Sequence, residues 1–89
     1  MPQRTVAIGS PLGLHARPAS LFVQAVNASG LPVTVAREGS DPVDARSVLA
    51  VMAMGAKHGE TVTLAAEESE TSDKVLDELV EMLATDLDA

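Results

Sequence analysis

Gly13-Leu14-His15-Ala16-Arg17-Pro18-Ala19 decides how the chain is read, because a tight turn ends at its first residue and a helix opens inside it. Upstream, Ser10-Pro11-Leu12-Gly13 carries Pro at the second and Gly at the fourth position of such a turn. Downstream, Ala19, Phe22, Val23 and Val26 recur at three- and four-residue spacing, the apolar stripe of an amphipathic helix. With His15 as N-cap, the backbone N–H groups of Ala16 and Arg17 have no acceptor inside the helix, and the helix dipole adds partial positive charge there. Pro18 then falls in the first turn, where its missing N–H breaks no hydrogen bond. The stretch gathers a nucleophilic ring nitrogen, free donors and a guanidinium. Phosphate suits all three.

Reading outward, Thr5-Val6-Ala7-Ile8 alternates, with Val6 and Ile8 on one face, and predicts a first strand closed by Gly9 and the Pro11 turn. The helix runs from Ala16 to about Ala28 and stops near Ser29-Gly30 and Pro32. Val33-Thr34-Val35 alternates again and ends at the hairpin loop Glu38-Gly39-Ser40, with a short partner strand from Pro42 to Asp44 that Pro42 places at its start or at an edge. Ser47 opens a short helix in which Val48, Val51 and Met52 share a face and Gly55 marks the end. Lys57-His58-Gly59-Glu60 is a turn, and Thr61 to Leu64 is the clearest alternating strand. After the polar loop Glu67-Glu68-Ser69-Glu70, a last helix extends from Ser72 to Leu83 or beyond, with Val75, Leu76, Leu79, Val80 and Leu83 on one stripe. Thr71 or Ser72 caps it and Asp73 complements its dipole. The order is β-α-β-β-α-β-α, and its two-faced strands fit an antiparallel sheet covered on one side, an α+β open-faced β-sandwich.

The length of 89 residues allows one domain, taken as residues 1–89. Apolar residues make up 46% of the chain but include one aromatic, Phe22, so the core must be aliphatic. The absence of Cys removes any disulfide framework or thiolate metal site, and an unstapled cytoplasmic protein is the natural reading. No signal-peptide core is present at the N-terminus, and the longest apolar run, Val48 to Met54, is too short to span a bilayer. The net charge of −7 is unevenly spread: residues 1–37 hold Arg4, Arg17 and Arg37 and no acid, whereas ten of the thirteen acids lie between Glu60 and Asp88. Nucleic acid and anionic membranes, which need clustered Lys and Arg, are therefore not expected partners.

The run Gly13 to Ala19 resembles the active-site motif of HPr, the histidine-containing phosphocarrier family of the bacterial sugar phosphotransferase system. The likeness extends over essentially the whole chain, through Ala45-Arg46-Ser47-Val48-Leu49, Val51-Met52 and the Gly59 that precedes the last strand. It implies four antiparallel strands with three helices on one face. It also implies a carrier rather than a catalyst: Nδ1 of His15 accepts a phosphoryl group from enzyme I and yields it to an enzyme IIA. Arg17 and the backbone N–H groups of Ala16 and Arg17 stabilise the phosphorylated form, and no metal or bound cofactor is needed.

Ser47 is explained by helix capping alone. In many HPr proteins the matching serine is a regulatory phosphorylation site, which adds a serine kinase and a transcription regulator to the partners that the resemblance implies. Core packing accounts for Val48, Val51 and Met52, leaving Leu49 as the better docking residue; in HPr the matching patch, here Val48, Leu49 and Met52, contacts enzyme I and enzyme IIA. Gln24 and Asn27 stand where some members carry lysines, which predicts weaker electrostatic steering. His58 lies in an exposed turn and is assigned no role. No patch demands a dimer, so a monomer is expected. Two other readings are a docking module of the same fold that transfers nothing, and a small α+β phosphatase; the latter lacks a general base near His15 in sequence.

Overall fold

Seven elements follow one another in the computed structural model, which describes residues 1–85: β1 (Gln3–Ala7), α1 (Ala16–Ser29), β2 (Thr34–Arg37), β3 (Val43–Asp44), α2 (Val48–Met54), β4 (Thr61–Ala65) and α3 (Ser72–Ala84). The strands form one antiparallel sheet in the order β1-β4-β2-β3. Register explains why one face is apolar. Val6 lies opposite Val62 and Val35 opposite Leu64, all four buried, while Thr5, Thr63 and Ala36 line up on the other face. The helices cover the apolar face, and the α+β open-faced sandwich read from the strand alternation is the fold observed.

Phe22 is fully buried at the centre of α1, with Ala19, Val23 and Val26 on the stripe that the spacing predicts. On α3 the buried apolar residues are Leu76, Leu79 and Leu83, with Val75 and Val80 half-buried at the margins. Strand bounds differ slightly from the alternation. Pairing of Gln3 with Ala65 starts β1 earlier, and pairing of Arg37 with Val62 carries β2 further, because the backbone ladder continues where side chains cease to alternate. Asp86 and Asp88 of the acidic C-terminal segment lie outside the described residues.

Two arginines at the margins of the covered face fasten helices to the sheet. Arg4 of β1 donates from Nε to Asp77 at 2.9 Å and from a terminal nitrogen to Asp73 at 3.0 Å, both on α3. Arg37 of β2 donates to the Met54 carbonyl at 3.2 Å, at the end of α2, and pairs with Glu60 at 2.7 Å. Capping of α3 differs from expectation. Thr71 is the N-cap but its side chain makes no capping bond, and the buried Ser72 hydroxyl instead accepts from Ser69 N–H and donates to Ser69 C=O, both at 3.1 Å.

Candidate functional site

The site begins with a turn closed as the sequence predicts: Gly13 N–H donates to the Ser10 carbonyl at 2.9 Å. Gly13 has φ +77°, and a methyl group there would collide with the Ala56 carbonyl. The next residue, Leu14, is buried and donates its N–H to that same carbonyl at 2.9 Å. His15 follows as the N-cap of α1, in extended backbone with φ −88° and ψ −168°. Its ring makes no capping bond, its carbonyl accepts the Ala19 N–H at 2.9 Å, and the residue is half-buried. Buried Leu14 before it and buried Pro18 after it anchor the backbone while His15 stands between them at the surface.

Ala16 and Arg17 occupy the exposed first turn, which contains no acidic residue. Their N–H groups and the Arg17 guanidinium give this helix end a positive potential with no carboxylate of its own to oppose it. Such an end can hold a phosphoryl group attached to a ring nitrogen at the N-cap. Arg4 and Arg37, counted above in the acid-free segment, are engaged in ion pairs with Asp73, Asp77 and Glu60. The positive balance at the site is therefore carried by Arg17 and the helix end rather than by the whole segment.

Ser47 is the N-cap of α2, its hydroxyl accepting from Ala50 N–H at 3.2 Å. Asn27 of α1 reaches the Arg46 carbonyl at 3.4 Å, linking the residue before Ser47 to the first helix. Beside it Arg46 clasps Asp44 at 3.0 Å, which holds the Asp44 carboxyl below the usual carboxylate range. On α2 the structure buries Val51 alone; Val48 is half-buried against the core, and Leu49 is 81% exposed. Met52 is 40% exposed and so lies on the surface, correcting its assignment to core packing: so short a helix turns only a narrow face to the sheet.

Three features at the site escaped the sequence reading. Leu12, 75% exposed, sits at the tip of the turn three residues before His15. Ala56 supplies the carbonyl on which Leu14 rests, a long-range contact with no local signal. His58 places Nδ1 3.1 Å from the Ser10 carbonyl, so the exposed second histidine touches the turn that leads to the first. Among the described residues no three His, Cys, Asp or Glu side chains converge as a metal site, and no helix is long and apolar enough to cross a membrane.

A family model described as PTS HPr component phosphorylation site matches residues 2–85. A phosphocarrier protein HPr of Streptomyces coelicolor is 44% identical over 88 residues, 99% of this chain and 94% of that protein. A phosphocarrier protein HPr of Haloferax volcanii is 42% identical over 84 residues, 93% of each chain. The crystal structure of a phosphocarrier protein HPr from Bacillus anthracis superposes with a TM-score of 0.84 at 28% identity, over 92% of this chain and 95% of that one. With a His-capped helix end suited to phosphate and a likeness that spans nearly every residue, the chain belongs to the HPr family, the phosphocarriers of the phosphotransferase system.

Proposed function

We propose that His15 is the phosphoryl acceptor and that residues 1–89 act as one HPr-like carrier domain between enzyme I and enzyme IIA proteins. The observation that carries this reading is the placement of His15 as N-cap of α1, before a first turn that contains no acidic residue and between two buried anchors. The Nδ1 lone pair of the neutral ring attacks the phosphorus of the phosphorylated donor as the donor's own bond to phosphorus breaks, and the ring proton stays on Nε2. Arg17 and the N–H groups of Ala16 and Arg17 stabilise the charge on the transferred group, and a second displacement returns it to an acceptor. Each molecule carries one group, with no resident metal or cofactor and no turnover of its own.

Docking of both partners falls to Val48, Leu49 and Met52, with Leu12 added from the structure, because exposed Leu and Met side chains make adaptable contacts. Ser47, at a helix N-terminus that tolerates an anion, is the position for regulation by a serine kinase or for contact with a transcription regulator. The carrier works as a monomer in the cytoplasm.

The protein is mixed with enzyme I, Mg²⁺ and phosphoenolpyruvate, and its intact mass is read before and after brief acid treatment, with His15→Ala in parallel. One acid-labile phosphoryl group that disappears with His15 is expected. A mass shift that persists in His15→Ala, or none with several enzyme I proteins, overturns the assignment and leaves a docking module. Incubation with a serine kinase that acts on HPr proteins tests Ser47, and a Ser47→Ala variant modified as well as the wild type would remove it.

A further inference from the structure

We infer that His58 is a positioning residue for transfer at His15: its ring clasps the turn from Ser10 to Gly13 that delivers the chain to the start of α1. The inference rests on the reading of His15 as the phosphoryl acceptor. Two donors meet at the Ser10 carbonyl, Gly13 N–H at 2.9 Å and Nδ1 of His58 at 3.1 Å. A carbonyl oxygen only accepts, so Nδ1 of His58 carries a proton, and in the neutral ring Nε2 is the bare nitrogen. His15 needs the opposite tautomer, because its Nδ1 must present a lone pair to phosphorus. The Ser10 carbonyl sets the tautomer of His58, and the transfer reaction requires the complementary one of His15.

The clasp adds to links on either side of the turn. Backbone bonds hold the flanks of the turn: Ile8 N–H to Glu60 C=O at 3.0 Å, Gly9 N–H to Leu83 C=O at 2.9 Å, Gly59 N–H to Ile8 C=O at 2.9 Å and Leu14 N–H to Ala56 C=O at 2.9 Å. Pro11 and Leu12, the central residues of the turn, are exposed, so packing does not immobilise its tip. His58 adds a side-chain hold on buried Ser10, the first residue of the turn, from which that exposed tip projects. The residues around His58 are in turn fixed by Glu60, which accepts the Lys57 N–H at 2.8 Å and pairs with Arg37. A rigid base on one side therefore steadies the approach to His15 on the other, and transfer depends on such placement because small errors in reacting geometry are costly in rate.

Long-range ¹⁵N–¹H correlation spectra of the unphosphorylated protein are expected to show His58 in the Nδ1–H tautomer. His58→Ala is expected to slow phosphoryl transfer from phosphorylated enzyme I by roughly three- to tenfold, the size of losing about one neutral hydrogen bond, with circular dichroism unchanged. His58→Asn, whose amide N–H₂ stands close to where Nδ1 stood, is expected to restore most of that rate. An Nε2–H tautomer, a wild-type rate in His58→Ala, or a His58→Asn variant as slow as His58→Ala each overturns the inference. Should His58→Ala fail to fold, the tautomer and His58→Asn still decide. Absence of phosphorylation on His15 in the wild-type protein is a different result: it overturns the functional reading and the positioning role together.

Discussion

At Gly13 a single backbone angle sets up the site. With φ +77° and the Ala56 carbonyl where a Cβ would be, Gly13→Ala is expected to cost more than about 1 kcal/mol in stability and to slow transfer as well, checked by urea unfolding alongside the transfer assay. Arg17 predicts the reverse pairing of effects. A cation in the first turn opposes the helix dipole, so Arg17→Ala leaves stability equal or raises it by a few tenths of a kcal/mol while slowing transfer by more than about tenfold. Normal transfer at matched stability would remove Arg17 from the site. The turn and the two helix starts were legible in the sequence because each obeys a local rule: Pro and Gly at fixed turn positions, His before an apolar stripe, Ser before a short helix. His58 was not, since its partner Ser10 lies far away in the chain and only folding brings them together. Ser72 shows the same limit, with a hydroxyl that reads as a cap yet is buried and engaged with Ser69.

Among the elements, α2 carries the clearest division of labour. Val51 is its buried contact with the core, and Leu49 points away at 81% exposure. Leu49→Ser is expected to change stability by less than about 0.5 kcal/mol while weakening association with enzyme I by about tenfold, seen as a raised KM with kcat retained. Equal KM values would place the docking face elsewhere. Periodicity marked α2 as a helix and set Leu49 outward, but it placed Met52 with the core, where the structure leaves it at the surface. Burial on an element this short depends on how it leans on β2, β3 and α1, which residue spacing does not encode. The long helices were easier: α1 and α3 each repeat their apolar face over several turns, so the core-facing residues follow from spacing alone.

For the molecule as a whole, charge asymmetry along the chain becomes attachment across the sheet. Arg4 reaches α3 and Arg37 reaches Glu60 and the end of α2, so acids and bases segregated in sequence meet in space. The Arg37 guanidinium, with the Lys57 N–H adding to it, holds the Glu60 carboxyl below its ordinary range. A carboxyl shifted down in the folded state favours its ionised form there, so its contribution to stability is complete above the unfolded value of about 4.3 and is lost as the pH falls through the lowered folded value. Asp44, held down by Arg46, acts in the same direction. The melting temperature is expected to fall on acidification through this window, and Glu60→Gln should flatten the fall; an unchanged slope would show that the Arg37 pair is not its source. The strand order has a consequence of another kind. Among the described residues β1 has β4 alone as its neighbour in the sheet, Gln3 pairing with Ala65, and Leu14 rests on Ala56. A nascent chain that has left the ribosome only as far as α2 holds the imidazole but neither the strand that seats β1 nor the carbonyl that seats Leu14. On the proposed reading of His15, competence comes late in synthesis, and half-made copies would draw no phosphoryl groups out of the relay.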